Sequence, residues 1–226
     1  MIIYLSPAKV LNLKATSYND LLVLDEDKTN HLYQISKAYS IPQLQSELKV
    51  SEAIATKVYQ YYQDISKTYK PLELFQGAAY KALDYSSLSA REQSIADQMI
   101  VIGDAYYGLI LGTHRIYPYR LDFTKPYNEI DLYAYWKADL LKHFNRPIVD
   151  LSSKEYQQLL PNAYDHPIKR VDLIKGTSLQ RKQFRGLYAR TIIQKKISQL
   201  ENLEKMEISG YKLVKVEKHK LYYQID

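Results

Sequence analysis

Residues 2 to 9 read IIYLSPAK. Ile2 to Leu5 form a short, fully apolar run that stops at Ser6-Pro7, the pattern of a buried strand ending in a turn. Pro7 suits the first position of a helical turn and Ser6 suits its cap. The spacing predicts a strand, a turn, and then an ammonium at Lys9 on the same side as the freed amides.

Outward from this strand the chain alternates between periods. Leu32 and Ile35 have helical spacing, which Ile41-Pro42 breaks. Leu44 and Leu48 define a short helix. Ser51 then caps one bearing Ile54, Val58, Tyr61, Tyr62 and Ile65. Residues 42 to 66 therefore read helix, tight turn, helix. Met99 to Ile102 is a second short strand, closed by Gly103-Asp104. Tyr117 to Phe123 alternates strictly and reads as a third, with Arg120 and Asp122 on one face. Asp131 caps a helix carrying Leu132, Trp136, Leu140 and Phe144. Pro147 to Asp150 and Pro167 to Ile174 read as strands, 182 to 200 as a long basic helix, and 211 to 217 with 220 to 225 as a closing hairpin. The expected fold is a single mixed α/β (α+β) domain over 1 to 226, with a mixed sheet, surrounding helices and a helix-hairpin-helix-like insertion at 42 to 66.

Composition narrows the chemistry. The 226 residues contain no cysteine, which excludes disulfides, thiol catalysis and thiolate metal sites. The five histidines are too scattered for a local metal motif. No apolar run approaches the ~18 residues of a membrane span, and Ile2 to Leu5 is far short of a signal-peptide core of ~7 or more. A cytoplasmic protein with no membrane partner, no cofactor and no bound metal is expected. The net charge of +6 raises the prospect of a polyanionic partner. The 23 tyrosines can fill a core, line a cleft or stack on bases, and composition does not choose among these.

Four segments can carry chemistry. Ser6-x-x-Lys9 has the spacing of a nucleophile pair. Its partner motifs, Ser-Asp-Asn and Lys-Thr-Gly, are absent, since Lys175-Gly176-Thr177 runs in the wrong order. A plain turn or an anion contact remains. Arg120 and Asp122 are either an ion pair or an arginine fork oriented toward an anion. The basic helix interleaves Lys182, Arg185 and Arg190 with apolar residues around Gly186. Its cations are either a solvated face or a wall for phosphates, and the glycine admits a close approach of backbone or ligand. The turn at Leu48-Lys49-Val50-Ser51 lacks the two glycines of a DNA-binding hairpin and, taken alone, better suits an ordinary helical corner.

SPAK (6 to 9), Phe75-Gln76-Gly77 with Tyr80, Tyr107-Gly108, PYRLD (118 to 122), DLYAYW (131 to 136), LSSKEY (151 to 156), RGLYARTII (185 to 193) and Gly210-Tyr211 occur in this order. The set resembles the YaaA family of bacterial peroxide-stress proteins. The resemblance implies a cytosolic protein that binds DNA, lowers free iron during peroxide stress, and so limits iron-driven DNA damage. It also implies a helix-hairpin-helix-like element beside a basic cleft. Two departures bear on the cleft lining: Leu111-Gly112 stands where the family tends to have Arg-Pro, and Lys175 to Gln183 is short. The expected partner is duplex or branched DNA, held by its backbone. Ser6, Lys9, Lys49, Arg120, Lys182, Arg185 and Arg190 are the candidate DNA- or anion-binding residues. The alternative is an enzyme acting on a nucleotide or other phosphate-containing substrate in the same cleft, distinguished by an acid/base group that no spacing identifies.

Overall fold

A computed structural model describes residues 1–124, 126–160 and 166–226. β1 (Ile2–Leu5) leads through β2 (Ser17–Tyr18) to α1 (Glu26–Ala38), α2 (Ile41–Leu48) and α3 (Glu52–Gln63). Next come β3 (Thr68–Tyr69), α4 (Pro71–Leu74), α5 (Ala78–Leu83) and α6 (Ala90–Met99). β4 (Ile100–Asp104) and β5 (Gly108–Leu111) precede α7 (Leu132–Leu140), β6 (Ile148–Asp150), α8 (Lys154–Gln157) and β7 (Ile168–Leu173). α9 (Ser178–Gln194) and the hairpin β8 (Tyr211–Glu217) and β9 (Lys220–Ile225) follow.

Seven strands form one mixed sheet in the order β5-β4-β1-β6-β7-β9-β8. β1 runs parallel to both β4 and β6, with Ile3 opposite Ile100 on one side and Val149 on the other. All four residues of β1 are buried, and β4 and β6 are buried throughout. Strands covered on both faces read as near-continuous apolar runs rather than alternation, which is why IIYL carries no charged residue and its one hydroxyl, on Tyr4, donates to the Tyr156 carbonyl. The edge strand β8 is mostly exposed and bears Lys212 and Lys215, charges that discourage edge-to-edge pairing. Strand order departs in opposite directions on either side of β1. In such sheets a crevice opens beyond the carboxyl ends of the strands at that switch point.

α2 and α3 form the expected helical pair. Lys49 takes the left-handed conformation, φ 51°, that a glycine would occupy more easily. The basic helix starts earlier than its apolar spacing suggests. Thr177 and Gln180 form a reciprocal capping box, so α9 begins at Ser178, and it ends before Lys196, where φ reaches 53°.

Two local expectations are corrected. Ser6 to Lys9 is a bend, not a helical turn. Tyr117 to Phe123 is not a strand of either sheet. Its alternation survives as burial, with Tyr119, Leu121 and Phe123 buried and Arg120 and Asp122 half-buried. Tyrosines hold this irregular segment instead of a ladder. The Tyr62 hydroxyl donates to the Arg120 carbonyl at 2.9 Å, and the Tyr107 hydroxyl to the Tyr117 carbonyl at 3.2 Å. Many tyrosines thus fill the core and spend their hydroxyls on backbone carbonyls.

Candidate anion-binding cleft

The crevice predicted by strand order exists. A cleft of about 590 Å³ lies beyond Leu5 of β1 and Leu151, just past β6, and is walled by Pro7, Ala8, the start of α5 and the first turns of α9. Ser6, Lys9, Arg120, Lys182 and Arg185 all line it. Lys49 and Arg190 do not. Lys49 sits in the α2–α3 turn. Arg190 donates to the carbonyls of Leu83 and Asp84, each at 2.8 Å, and so closes the end of α5.

Two glycines bring the walls together. A Cβ at Gly186 would lie 1.8 Å from the Ala79 carbonyl oxygen, so only glycine lets α9 lie against the α5 backbone. The close approach left open in the sequence is therefore one of backbone. At Gly77 a Cβ would lie 2.8 Å from that of Ala8, which seats the start of α5 against the Ser6–Lys9 bend. The Tyr80 hydroxyl fixes the bend from the same side by donating to the Ser6 carbonyl at 2.8 Å.

The Ser6 hydroxyl accepts from the Ser153 N–H at 2.9 Å, and no histidine lines the cleft. Ser6 therefore joins the β1 end to the β6 end, where the sequence had it capping a turn of its own. Lys9 pairs with Asp122, so Asp122 does not orient Arg120. Burial works to raise the Asp122 carboxyl, but hydrogen bonds from Lys9 and Thr124 outweigh it and hold the group below the usual carboxylate range. Glu155, on α8, also lines the cleft and accepts from the Phe123 N–H at 2.9 Å. Burial and, next, the Asp122 charge raise its carboxyl, partly offset by that hydrogen bond and by Lys9.

The remaining cations differ from Lys9. Among the described residues, the side chains of Arg120 and Arg185 make no hydrogen bond or ion pair, and neither does exposed Lys182. The Arg185 Nε–H is buried without an acceptor. Burial lowers the Arg185 pKa, opposed by the more distant Asp172 and Asp150. Asp150 is itself buried; its Oδ1 accepts from Ser152, and its Oδ2 faces Arg170 at 3.2 Å without hydrogen-bond geometry. The cleft thus holds guanidinium donors that the protein leaves unused, an arrangement suited to an anion.

A neighbouring depression of about 500 Å³ is lined by Lys14, Lys81, Glu73 and Asp84 among others, and its mixed charges give it no such preference. Among the described residues no group of three or more His, Asp or Glu side chains gathers as a cation site, and no helix is long and apolar enough to cross a membrane.

Glu155, Ser153, Tyr80, Tyr119 and Tyr156 also line the cleft and were not placed there by spacing. The available signal was LSSKEY directly following an apolar strand, because the loop beyond such a strand is where α/β crevices take their residues.

A family profile described as peroxide stress protein YaaA matches residues 1–217. A UPF0246 protein of Finegoldia magna is 29% identical over 225 residues, covering 93% of this chain and 91% of its own length. A UPF0246 protein of Legionella pneumophila (strain Corby) is 28% identical over 243 residues, covering 93% of each chain. One from Fusobacterium nucleatum is 25% identical over 233 residues, covering 95% of this chain and 94% of its own.

Proposed function

Because the chain belongs to the peroxide stress protein YaaA family, we propose that it serves the peroxide-stress response as a cytoplasmic DNA-binding protein that takes nucleic-acid phosphates in the β1–β6 cleft. The observation that carries this reading is that two guanidinium groups without a partner among the described residues, Arg120 and Arg185, stand with Lys182 on one concave surface. Arginine forks match phosphate oxygens bidentately, and a fork with no protein partner is ready to do so. Contacts of this kind position a phosphate without reading a base, so binding is largely independent of sequence. Lowering free iron and limiting iron-driven DNA damage enter this reading through the family resemblance. The helical pair 41–63 supplies a second surface of the kind that meets a DNA backbone.

Salt titration tests the reading. Three free cations give a log–log slope of about −2.7, or about forty-fold weaker binding between ~50 and ~200 mM salt. Affinity for duplexes of unrelated sequence should agree within a few-fold. Binding that ignores salt, or that depends strongly on sequence, overturns it.

A further inference from the structure

The cleft is too small for the partner just proposed to enter whole. Its volume of about 590 Å³ falls within the range of sites that enclose a small molecule, roughly 300–1,000 Å³. One nucleotide fills such a space, whereas a stretch of duplex only crosses its mouth. Its interior is built differently from a surface track for a backbone. Arg185 is half-buried with an Nε–H that has no acceptor. A desolvated donor of this kind is costly until an acceptor arrives. Arg120 is fixed from behind, its carbonyl accepting from the Tyr62 hydroxyl at 2.9 Å, while its side chain has no described partner. A phosphodiester meets two guanidinium forks with two free oxygens and a single negative charge, which leaves one of the two positive charges unmatched. A terminal phosphate brings three oxygens and nearly two charges.

The mouth is apolar where a base or sugar would rest. Val10 is 58% exposed and Leu179 57% exposed, and both line the cleft. Isolated exposed aliphatic groups are ordinary, but here two stand beside unpaired cations in one concavity. Lys182, exposed on the same wall, is placed to meet a flanking backbone phosphate.

We propose that the cleft is a socket for one nucleotide bearing a terminal phosphomonoester, at a strand end or free in solution, with Arg185 and Arg120 on the phosphate and Val10 and Leu179 on the nucleoside. This rests on the nucleic-acid reading above and specifies which phosphate is taken.

The test compares fluorescent single-stranded oligonucleotides that differ only in a 5′- or 3′-terminal phosphate or hydroxyl, measured by anisotropy. At least one phosphorylated end should bind about tenfold more tightly than its hydroxyl counterpart. Free dAMP should displace it, and inorganic phosphate at the same concentration should not. Arg185→Gln and, separately, Arg120→Gln should bring the ratio of phosphate-end to hydroxyl-end affinity close to one. Thermal melts of both variants confirm that they are folded, and either variant alone suffices. Equal binding of the two ends overturns the socket, as does a ratio that survives both substitutions, or inorganic phosphate competing as well as dAMP. Covalently closed duplex separates the two readings. If it binds while ends make no difference, only the socket fails. If it does not bind while dAMP does, the socket stands for free nucleotides and only the DNA reading fails.

Discussion

Helix α9 passes through two electrostatic neighbourhoods, and its arginines behave differently in each. Toward the sheet, Arg181 pairs with Asp172 at 2.7 Å, and farther along Arg190 caps the carbonyls of α5. Arg185 stands between them on the cleft wall with no hydrogen bond or ion pair among the described residues. The fold uses the two outer cations as structural donors and leaves the middle one unsatisfied. Free cations next to well-paired ones on a single helix distinguish a site from a generally basic surface. The net charge of +6 carries no such distinction.

The largest expected effect removes the contact that both neighbourhoods share. Gly186→Ala places a methyl 1.8 Å from the Ala79 carbonyl oxygen, a rigid backbone atom, so α5 and α9 must separate. A loss of about 3 kcal/mol is expected, read as a lowered urea midpoint, together with loss of phosphate binding. An unchanged midpoint would mean that the cleft walls are not held by this approach.

A second comparison sets the core against the cleft through two carboxylates. Asp122 is held low by Lys9 and Thr124 despite burial. Asp104 is fully buried, and burial pushes it up to about 6 even though the N–H groups of Tyr106 and Tyr107 and the Tyr119 hydroxyl all donate to it. Between pH 4 and 6 the native state therefore keeps a proton that the unfolded chain has lost. Stability from this group is full below about 4 and withdrawn as pH rises through 6, by about 3 kcal/mol at ~1.4 kcal/mol per pH unit. Asp104→Asn should remove that part of the pH dependence. Urea titrations of both proteins from pH 4 to 7 that run parallel would show that Asp104 does not titrate in this window.

Arg190 and Arg185 sharpen the first comparison directly. Arg190→Ala leaves two carbonyls at the end of α5 without their donor and should cost about 1–2 kcal/mol, discounted for partial exposure. Arg185→Gln removes a half-buried charge that has no partner among the described residues, so stability should stay within ~0.5 kcal/mol of wild type or rise. Its effect belongs in affinity, about tenfold weaker for DNA. Should Arg185→Gln destabilise the protein as much as Arg190→Ala, the division between structural and reserved cations is wrong.

What the sequence revealed follows from which interactions are local. The apolar runs at Ile2 to Leu5 and Pro147 to Asp150, the Asp131 cap and the hairpin around Lys218-His219 are set by neighbours in the chain, and each is found. The pairing of Asp122 with Lys9 spans 113 residues, and that of the Ser6 hydroxyl with the Ser153 N–H spans 147. Neither separation has a periodicity to read. Arg120 and Asp122 share a face in a strand, but the irregular segment that carries them is shaped by tyrosine hydroxyls reaching in from elsewhere. Arg190 had the same local context as Arg185. Only packing against α5 shows that one is a cap and the other a free donor.

The smallest expected effect concerns Ser6, where spacing alone allowed a nucleophile. Its hydroxyl already accepts the Ser153 N–H at 2.9 Å and lies 3.4 Å from the Ser153 hydroxyl. The lysine three residues on pairs with Asp122 and, among the described residues, makes no hydrogen bond to the Ser6 hydroxyl that it would need to act as its base. No histidine stands in the cleft to replace it. Ser6 is in this respect the opposite of Arg185: its polar group is committed to the fold, while that of Arg185 is not. Ser6→Ala should cost ~1 kcal/mol by leaving the Ser153 N–H unpaired, and should change DNA affinity by less than the loss of either unpaired arginine does. A fluorophosphonate probe should not label the wild-type protein. Stoichiometric labelling that disappears in Ser6→Ala would show that the hydroxyl is activated, and would turn the unused donors of the cleft into an oxyanion site instead of a phosphate seat.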